Sequence, residues 1–457
     1  MATLIDRVKS LSNISASELN SIKSLPKSIQ NQEVPSPRLP NPVAARFSLR
    51  STQIKQLVPN DSGLQRLSSK SIISGPFNFI IGTPNPDFLV GTNKNDLILG
   101  RGGNDVIIAV GGNDLVFGEG GNDIVIAGSG NDFVSGGSGN DFVFGSSGND
   151  SLDGGSGNDS LFGGTGTNNF IGSSGNDVLD GEEGKDTVDY TGLGRAITLL
   201  PTGIVNKSGL GQDELIRVET IIGDAGQANT IDASSAGSGA SVNVNLQKNS
   251  LQINVVNGPV LNRTVQNFVN VKGAGRNDTI IGDNNSNQLT GGAGSDNITG
   301  AGGNDTIVGV DPNSKKPGVN EIDVLTGGAG ADKFVIGDSK NPYYVGRGGF
   351  LGLNDYALVK DFQSGTDKIQ LHKGSNYIFG SNFIAIKKGF LSFKTSDTSI
   401  ASAEQIAKNI AGGKSNGVQS QLTTGDSLKS VQIVPNFGFD VIAIVSGGYN
   451  QGDLSFV

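Results

Sequence analysis

An aspartate recurs every nine residues between Asp87 and Asp186. The series runs Asp87, Asp96, Asp105, Asp114, Asp123, Asp132, Asp141, Asp150, Asp159, Asn168, Asp177 and Asp186, and only Asn168 breaks the carboxylates. Each beat closes a glycine-rich loop and precedes a short apolar run, as in Gly136-Gly137-Ser138-Gly139-Asn140-Asp141-Phe142-Val143-Phe144. A shorter series follows at Asp278, Asn287, Asp296 and Asp305, and it resumes at Asp323 and Asp332 after the polar stretch Asp311–Pro317. Carboxylates are hard, charged oxygen ligands, and glycines let a loop take positive φ and turn its carbonyls inward. Such an oxygen-only set, with flexible geometry, suits several Ca2+ ions better than Mg2+ or Zn2+. All these aspartates are candidate metal ligands.

The elements that must position them follow from the period. Six loop residues and three strand residues make a half-coil, and two half-coils make a coil that stacks at about 4.8 Å on the next. The residue two after each beat (Leu89, Ile98, Ile107, Val116, Val125, Val134, Val143, Leu152, Leu161, Phe170, Leu179, Val188) is always apolar and is expected to point inward. The stacking predicts two ladders, one of Asp87, Asp105, Asp123, Asp141, Asp159 and Asp177, the other of Asp96, Asp114, Asp132, Asp150, Asn168 and Asp186. Five gaps in each set a ceiling of about ten ions. The gaps beside Asn168 should bind more weakly, because Asn keeps a carbonyl oxygen but loses the charge. The fold class is all-β: a right-handed parallel β-roll or β-solenoid of nonapeptide repeats with a C-terminal mixed β capping region.

Five segments are expected. Residues 1–75 read as a poorly ordered N-terminal segment, with a short amphipathic helix over Leu4–Ile22 and a linker at Pro35–Pro42. Residues 76–189 are the first repeat block and 190–272 an irregular solenoid continuation. Residues 273–335 are a second block in which the polar loop replaces one half-coil. Residues 336–457 form a cap and a secretion region, with a helix over Ser399–Ile410.

Composition narrows the function classes. Residues 82–189 carry seventeen acidic and three basic side chains, whereas residues 1–81 carry four acidic and ten basic. The acidic block repels nucleic acid and needs counterions to become compact. The chain has no Cys, which removes disulfides and thiolate metal sites and leaves bound metal as the staple. No apolar stretch suits a transmembrane helix, and the first twenty residues lack a signal-peptide core. A metal-free solenoid or a low-complexity disordered run are the alternatives; unpaired acid ladders weigh against the first and the unfailing apolar position against the second.

With Gly154-Gly155-Ser156-Gly157-Asn158-Asp159-Ser160-Leu161-Phe162, the chain resembles the hemolysin-type calcium-binding repeat family, the RTX β-roll. Together with Asp361-Phe362 and Gly365-Thr366-Asp367-Lys368-Ile369 it looks like cyanobacterial RTX calcium-binding proteins. The resemblance implies an extracellular protein leaving by type I secretion without an N-terminal signal peptide, with the acid-then-apolar end at Asp453–Val457 as its uncleaved signal. Arg101, Val110, Glu119, Ala109 and Ala127 depart from the family's glycines.

No catalytic constellation is visible. His372 is the single histidine, and Gly412-Gly413-Lys414-Ser415 has Lys408 where a phosphate loop needs glycine. The reading is a secreted, non-enzymatic calcium-binding protein with a structural or cell-surface role. The alternatives are a calcium-dependent tail of an extracellular enzyme or toxin, and a self-assembling adhesin. Apolar residues flank the core position on both sides over 88–144 and predict a covering partner: a terminal segment of the chain, a second copy, or a cell-surface layer.

Overall fold

The computed structural model describes residues 76–256, 258, 260–346, 355–375, 377–379, 382–388 and 438–457, with short stretches at 2–9, 19, 23, 27–31, 33–34, 47–48, 419–423 and 428–432. The helix expected at Ser399–Ile410, the Gly412–Ser415 turn, the Pro35–Pro42 linker and most of the N-terminal segment lie outside the described residues. Within that segment Leu4–Lys9 is helical. Among the described residues no helix is long and apolar enough to cross a membrane. The chain divides into two units, residues 1–229 with 263–267, and residues 230–262 with 268–457.

The first unit is a parallel β-roll. One sheet stacks Pro76–Ile81, Asp96–Leu99, Leu115–Gly120, Phe133–Ser138, Ser151–Ser156, Asn169–Ile171, Thr187–Asp189 and Thr220–Ile222. The other stacks Phe88–Val90, Val106–Ile108, Ile124–Ser129, Phe142–Ser147, Ser160–Phe162, Val178–Asp180 and Gln212–Ile216. Partners within the repeats are eighteen residues apart, as Val116, Val134 and Leu152 are. The middle residue of every run from Leu89 to Val188 is no more than 2% exposed, so the expected apolar column is the core between the sheets. After Asp189 the chain leaves the roll as Thr198–Leu199 and Ile204–Asn206, an antiparallel hairpin that returns through Gln212–Ile216.

The apolar flanks outside the roll are also buried. Phe88, Val90, Val106, Ile108, Ile124, Ile126 and Phe144 form one cluster, and Ile5 and Leu19 pack against it. The N-terminal segment thus supplies part of the cover that these residues demand. On the other side Phe77, Leu97, Leu115, Phe117, Phe133 and Ile171 form a second cluster. Its first strand is paired antiparallel with Phe47–Ser48.

The second unit repeats the architecture. One sheet runs Thr230–Asp232, Asn270–Lys272, Gln288–Gly292, Thr306–Val310, Lys333–Val335, Lys368–Leu371 and Leu454–Phe456. The other runs Ala240–Asn245, Thr279–Ile281, Asn297–Gly302, Ile322–Ala329, Tyr356–Val359 and Gly438–Val445, with Phe383–Lys388 added antiparallel. One expectation is corrected here. The polar loop after Asp311 does not replace a half-coil. Asn297 pairs with Val324, twenty-seven residues on, so the loop is nine residues extruded from a coil whose strands keep their places. The acid-then-apolar end is built in as the last strand, with Asp453 accepting bonds from Ser364 Oγ at 2.7 Å and Gly365 N–H at 2.9 Å.

Candidate metal centre

The eighteen-residue register sets each aspartate against the one a coil later. The N–H of Asp87 donates to Asp105 Oδ1 at 2.7 Å, and the same bond runs on through Asp123, Asp141 and Asp159 to Asp177. On the other edge it links Asp96, Asp114, Asp132, Asp150, Asn168 and Asp186. Both expected ladders are therefore present as hydrogen-bonded columns. The asparagines before the acids, given no role above, form columns running the other way: Asn113 N–H donates to Asn95 Oδ1 at 2.9 Å, Asn131 to Asn113, and Asn149 to Asn131. These amides pin the loop tips together.

The chain spends one oxygen of each carboxylate on its own backbone and leaves the other. Oδ2 of Asp105, Asp114, Asp123, Asp132, Asp141, Asp150, Asp159, Asp186, Asp296, Asp305 and Asp332 is buried without a hydrogen-bond partner. At Asp87, Asp96, Asp278 and Asp367, by contrast, the N–H four residues earlier caps Oδ2: from Thr83 and Thr92 at 2.5 Å, Ala274 at 2.6 Å and Gln363 at 2.8 Å. The difference lies in the backbone at that earlier residue. In every loop with an orphaned oxygen it is left-handed, with φ of 78° at Arg101, 80° at Val110, 69° at Glu119, 76° at Ser146, 62° at Glu182 and 83° at Ala301, and glycine at the others. Holding a non-glycine residue there costs about 1–3 kcal/mol. The departures at Arg101, Val110 and Glu119 thus keep the loop's shape at the expense of strain. Two residues before each acid with an orphaned oxygen stands a glycine: Gly139 has φ 132°, and a Cβ there would meet the backbone of Gly121 in the preceding coil.

What faces the orphaned oxygen decides what it can hold. A Cβ built on Gly100 would lie 2.6 Å from Asp105 Oδ2 and 2.8 Å from the carbonyl oxygen of Gly118, one coil on. At Gly145 the corresponding distances are 2.5 Å to Asp150 Oδ2 and 2.6 Å to Gly163 O. A carboxylate oxygen and a carbonyl oxygen thus converge on one point, and neither has a hydrogen to give. A hard cation satisfies both, so the donors present fit Ca2+. Among the described residues no three acidic or histidine side chains converge, so each seat combines few carboxylates with backbone carbonyls. Ala109 and Ala127 occupy the corresponding glycine place before Asp114 and Asp132, and a methyl narrows those two seats.

Burial makes these carboxyls weak acids. It lifts Asp105 to about 7, Asp114 to about 9 and Asp132 to about 8, with the carboxylate of an adjacent rung adding to the rise. Asp296 is pushed up to about 10 by burial and then by Asp323. A charge removed from water without a partner is what raises a carboxyl in this way.

Asn168 stands in the second ladder with its Oδ1 accepting from Asp150 N–H at 3.0 Å and its Nδ2 buried without a partner. An N–H donor points where the other rungs present an acceptor, which repels a cation. Asn168→Asp supplies both the oxygen and the charge. It is expected to take up one more divalent ion per chain in equilibrium dialysis; an unchanged count would mean that the seat is closed for another reason.

The second block follows the same rule. Asp278 N–H donates to Asp296 Oδ1 and Asp296 N–H to Asp323 Oδ1, while Asn287, Asp305, Asp332 and Asp367 form the other column. At Asp323 the phenol of the buried Tyr344 donates to Oδ2 at 2.6 Å. Three rungs were not foreseen. Asp367 continues a ladder thirty-five residues after Asp332, Asp213 lies thirty-six after Asp177, and Glu219 accepts Asp186 N–H at 2.8 Å. The thirty-six-residue interval, two whole coils, is the signal that marks Asp213. His372 lies at a strand end with Nδ1 at 2.8 Å from the Asp338 carbonyl oxygen.

The model of one protein family, the RTX calcium-binding nonapeptide repeat, matches residues 81–192 in overlapping copies and again at 272–307 and 318–337. These segments are calcium-binding repeats, structural rather than catalytic. A search of curated proteins finds no match. Among solved structures the chain is similar to the extracellular lipase LipA from Serratia marcescens, at 15% identity over 73% of this chain and 44% of the lipase, with a TM-score of 0.18. The chain thus spans less than half the length of that enzyme.

Proposed function

We propose, taking the chain as an RTX repeat protein, that it is a secreted, non-enzymatic calcium-binding protein with a structural role, whose rolls take their shape around Ca2+ ions. The observation that supports this reading most is the set of buried, partnerless Oδ2 atoms, of which those of Asp105, Asp123, Asp141, Asp150, Asp186, Asp296 and Asp305 lie beside a carbonyl of a neighbouring coil. We assign Ca2+ seats to Asp105, Asp114, Asp123, Asp132, Asp141, Asp150, Asp159, Asp186, Asp296, Asp305 and Asp332. Asp87, Asp96, Asp177, Asp278 and Asp323 border them with an oxygen already engaged by protein donors. The bound ion supplies charge neutralisation; the chain supplies the stacked loops and their carbonyls.

Export by a type I route, as is typical of RTX proteins, suits this chemistry. Extracellular calcium modules bind at about 10⁻⁴–10⁻³ M, so the seats fill outside the cell and stay open in a low-calcium cytosol. The covering role for a partner is weaker than the calcium role, because Ile5 and Leu19 already lie on one apolar face. Equilibrium dialysis of the full chain against radioactive calcium at about 1 mM, with excess Mg2+, tests the reading. Several ions bound per chain are expected, and none bound would overturn it.

A further inference from the structure

The ladder that starts at Asp87 ends differently from the way it runs. Asp177 N–H donates to Asp213 Oδ1 at 3.3 Å, so these two aspartates are consecutive rungs. Between them lies the ammonium of Lys207, with Nζ 3.0 Å from Asp177 Oδ2 and bonded to Asp213 Oδ1. Tyr190 donates its hydroxyl to Asp213 Oδ2 at 2.8 Å. Lys207 and Tyr190 are 0% exposed, so the site is shut off from bulk solvent. Neither Asp177 nor Asp213 is among the rungs with an orphaned oxygen, whereas every rung from Asp105 to Asp159 is.

The hairpin between the strands Thr198–Leu199 and Gln212–Ile216 explains how the lysine gets there. Its turn is closed by Lys207 N–H to Gly211 O at 2.9 Å and Leu210 N–H to Lys207 O at 2.8 Å, which aims the side chain back into the roll. A lone buried lysine is costly, and so is a pair of buried aspartates; together the ammonium offsets one of the two negative charges, and the phenol's hydrogen bond stabilises Asp213 further. The eighteen extra residues that interrupt the nine-residue beat carry the one group able to replace a metal ion at this level.

We propose that Lys207 is a built-in cation that closes this ladder, so that the gap between Asp177 and Asp213 takes no divalent ion and keeps its shape without calcium. The proposal rests on the reading of the other gaps as Ca2+ seats. The test compares full-length wild type, Lys207→Ala, Lys207→Arg and the charge-neutral double variant Lys207→Met/Asp213→Asn, by bound calcium per chain in equilibrium dialysis and by the calcium midpoint of the circular-dichroism signal. Lys207→Ala is expected to bind one more ion than wild type and to need several-fold more calcium for half its signal, while Lys207→Arg keeps the wild-type count. A wild-type count and midpoint in Lys207→Ala would overturn the proposal. If Lys207→Ala does not fold at any calcium concentration, the double variant is set beside Lys207→Met alone, which keeps the aliphatic bulk but leaves the two carboxylates unbalanced. A higher calcium midpoint in Lys207→Met than in the double variant supports the cation role, and equal midpoints overturn it. A wild type that binds no calcium sinks the broader reading instead, so the two failures are distinguishable.

Discussion

Treating the full-length protein with a calcium chelator at neutral pH is expected to abolish most of its β-sheet circular-dichroism signal, and millimolar Ca2+, but not Mg2+, is expected to restore it. The reason is arithmetic. Rungs one coil apart are about 4.8 Å from each other. Two unit charges at that distance repel by roughly 3 kcal/mol at the effective dielectric suited to protein sites, and a buried rung that takes a proton at neutral pH to escape this incurs a comparable cost, because that pH lies far above its ordinary pKa. Several such gaps in the block from Asp87 to Asp186 together exceed the about 5–15 kcal/mol by which a domain is usually stable. Little offsets this. The core between the sheets is one apolar residue per nine, and the glycine loops lose more backbone entropy than any other sequence would. The cation turns each repulsive gap into an attractive one, and its binding free energy becomes folding free energy. Retention of full β content and unchanged compactness by size-exclusion chromatography after chelation would refute the account.

Periodicity made much of this molecule legible. The nine-residue beat gave the two sheets, the inward column from Leu89 to Val188 and the membership of both ladders, because a strand's side-chain alternation and a fixed coil length leave little freedom. It could not give the use of each oxygen. Asp96 and Asp105 stand at equivalent beats, yet Thr92 N–H caps the first, while left-handed Arg101 leaves the second open. The missing Gly-Gly before Asp96 is a visible difference, but the φ that decides the cap is at Arg101, and arginine does not advertise positive φ as glycine does. Interruptions were harder still. Asp213 and Lys207 sit in a stretch without repeats; Asp213 is betrayed only by its distance of two whole coils from Asp177, and Lys207 by nothing in the period. The polar loop after Asp311 keeps the nine-residue phase, which hides that it is an extrusion; the strand pairing of Asn297 with Val324 is needed to see it.

Acid should do part of calcium's work. In the chelated protein at low salt, lowering the pH from about 9 to about 5 is expected to raise β content, the reverse of ordinary acid denaturation. Burial lifts Asp123 to about 6, Asp105, Asp150 and Asp159 to about 7, Asp132 and Asp141 to about 8 and Asp114 to about 9. Each stands above its usual 3.8, so the folded state binds protons more tightly than the unfolded one. A group raised in this way contributes stability that is full below about 4 and is lost as the pH rises through its folded value. The window therefore runs from about 4 up to about 9 in the first block, and Asp296 extends it to about 10 in the second. A proton on Asp105 Oδ2 can also be donated to the Gly118 carbonyl oxygen that faces the same point, which no ionised carboxylate can do. Asp232, Asp338 and Asp453 pull the other way. Their hydrogen bonds hold them below the usual value, so they stabilise the fold above about 4 and cease to do so as the pH falls further. The predicted optimum of the calcium-free chain accordingly lies near pH 4–5, whereas the calcium-loaded chain should lose its ions over the same acid range as protons compete for the carboxylates. Circular dichroism across pH 3–9 with and without calcium reads both curves. A chelated protein whose β signal is flat, or falls, between pH 9 and 5 would mean that the buried carboxyls do not carry the energy that opposes folding.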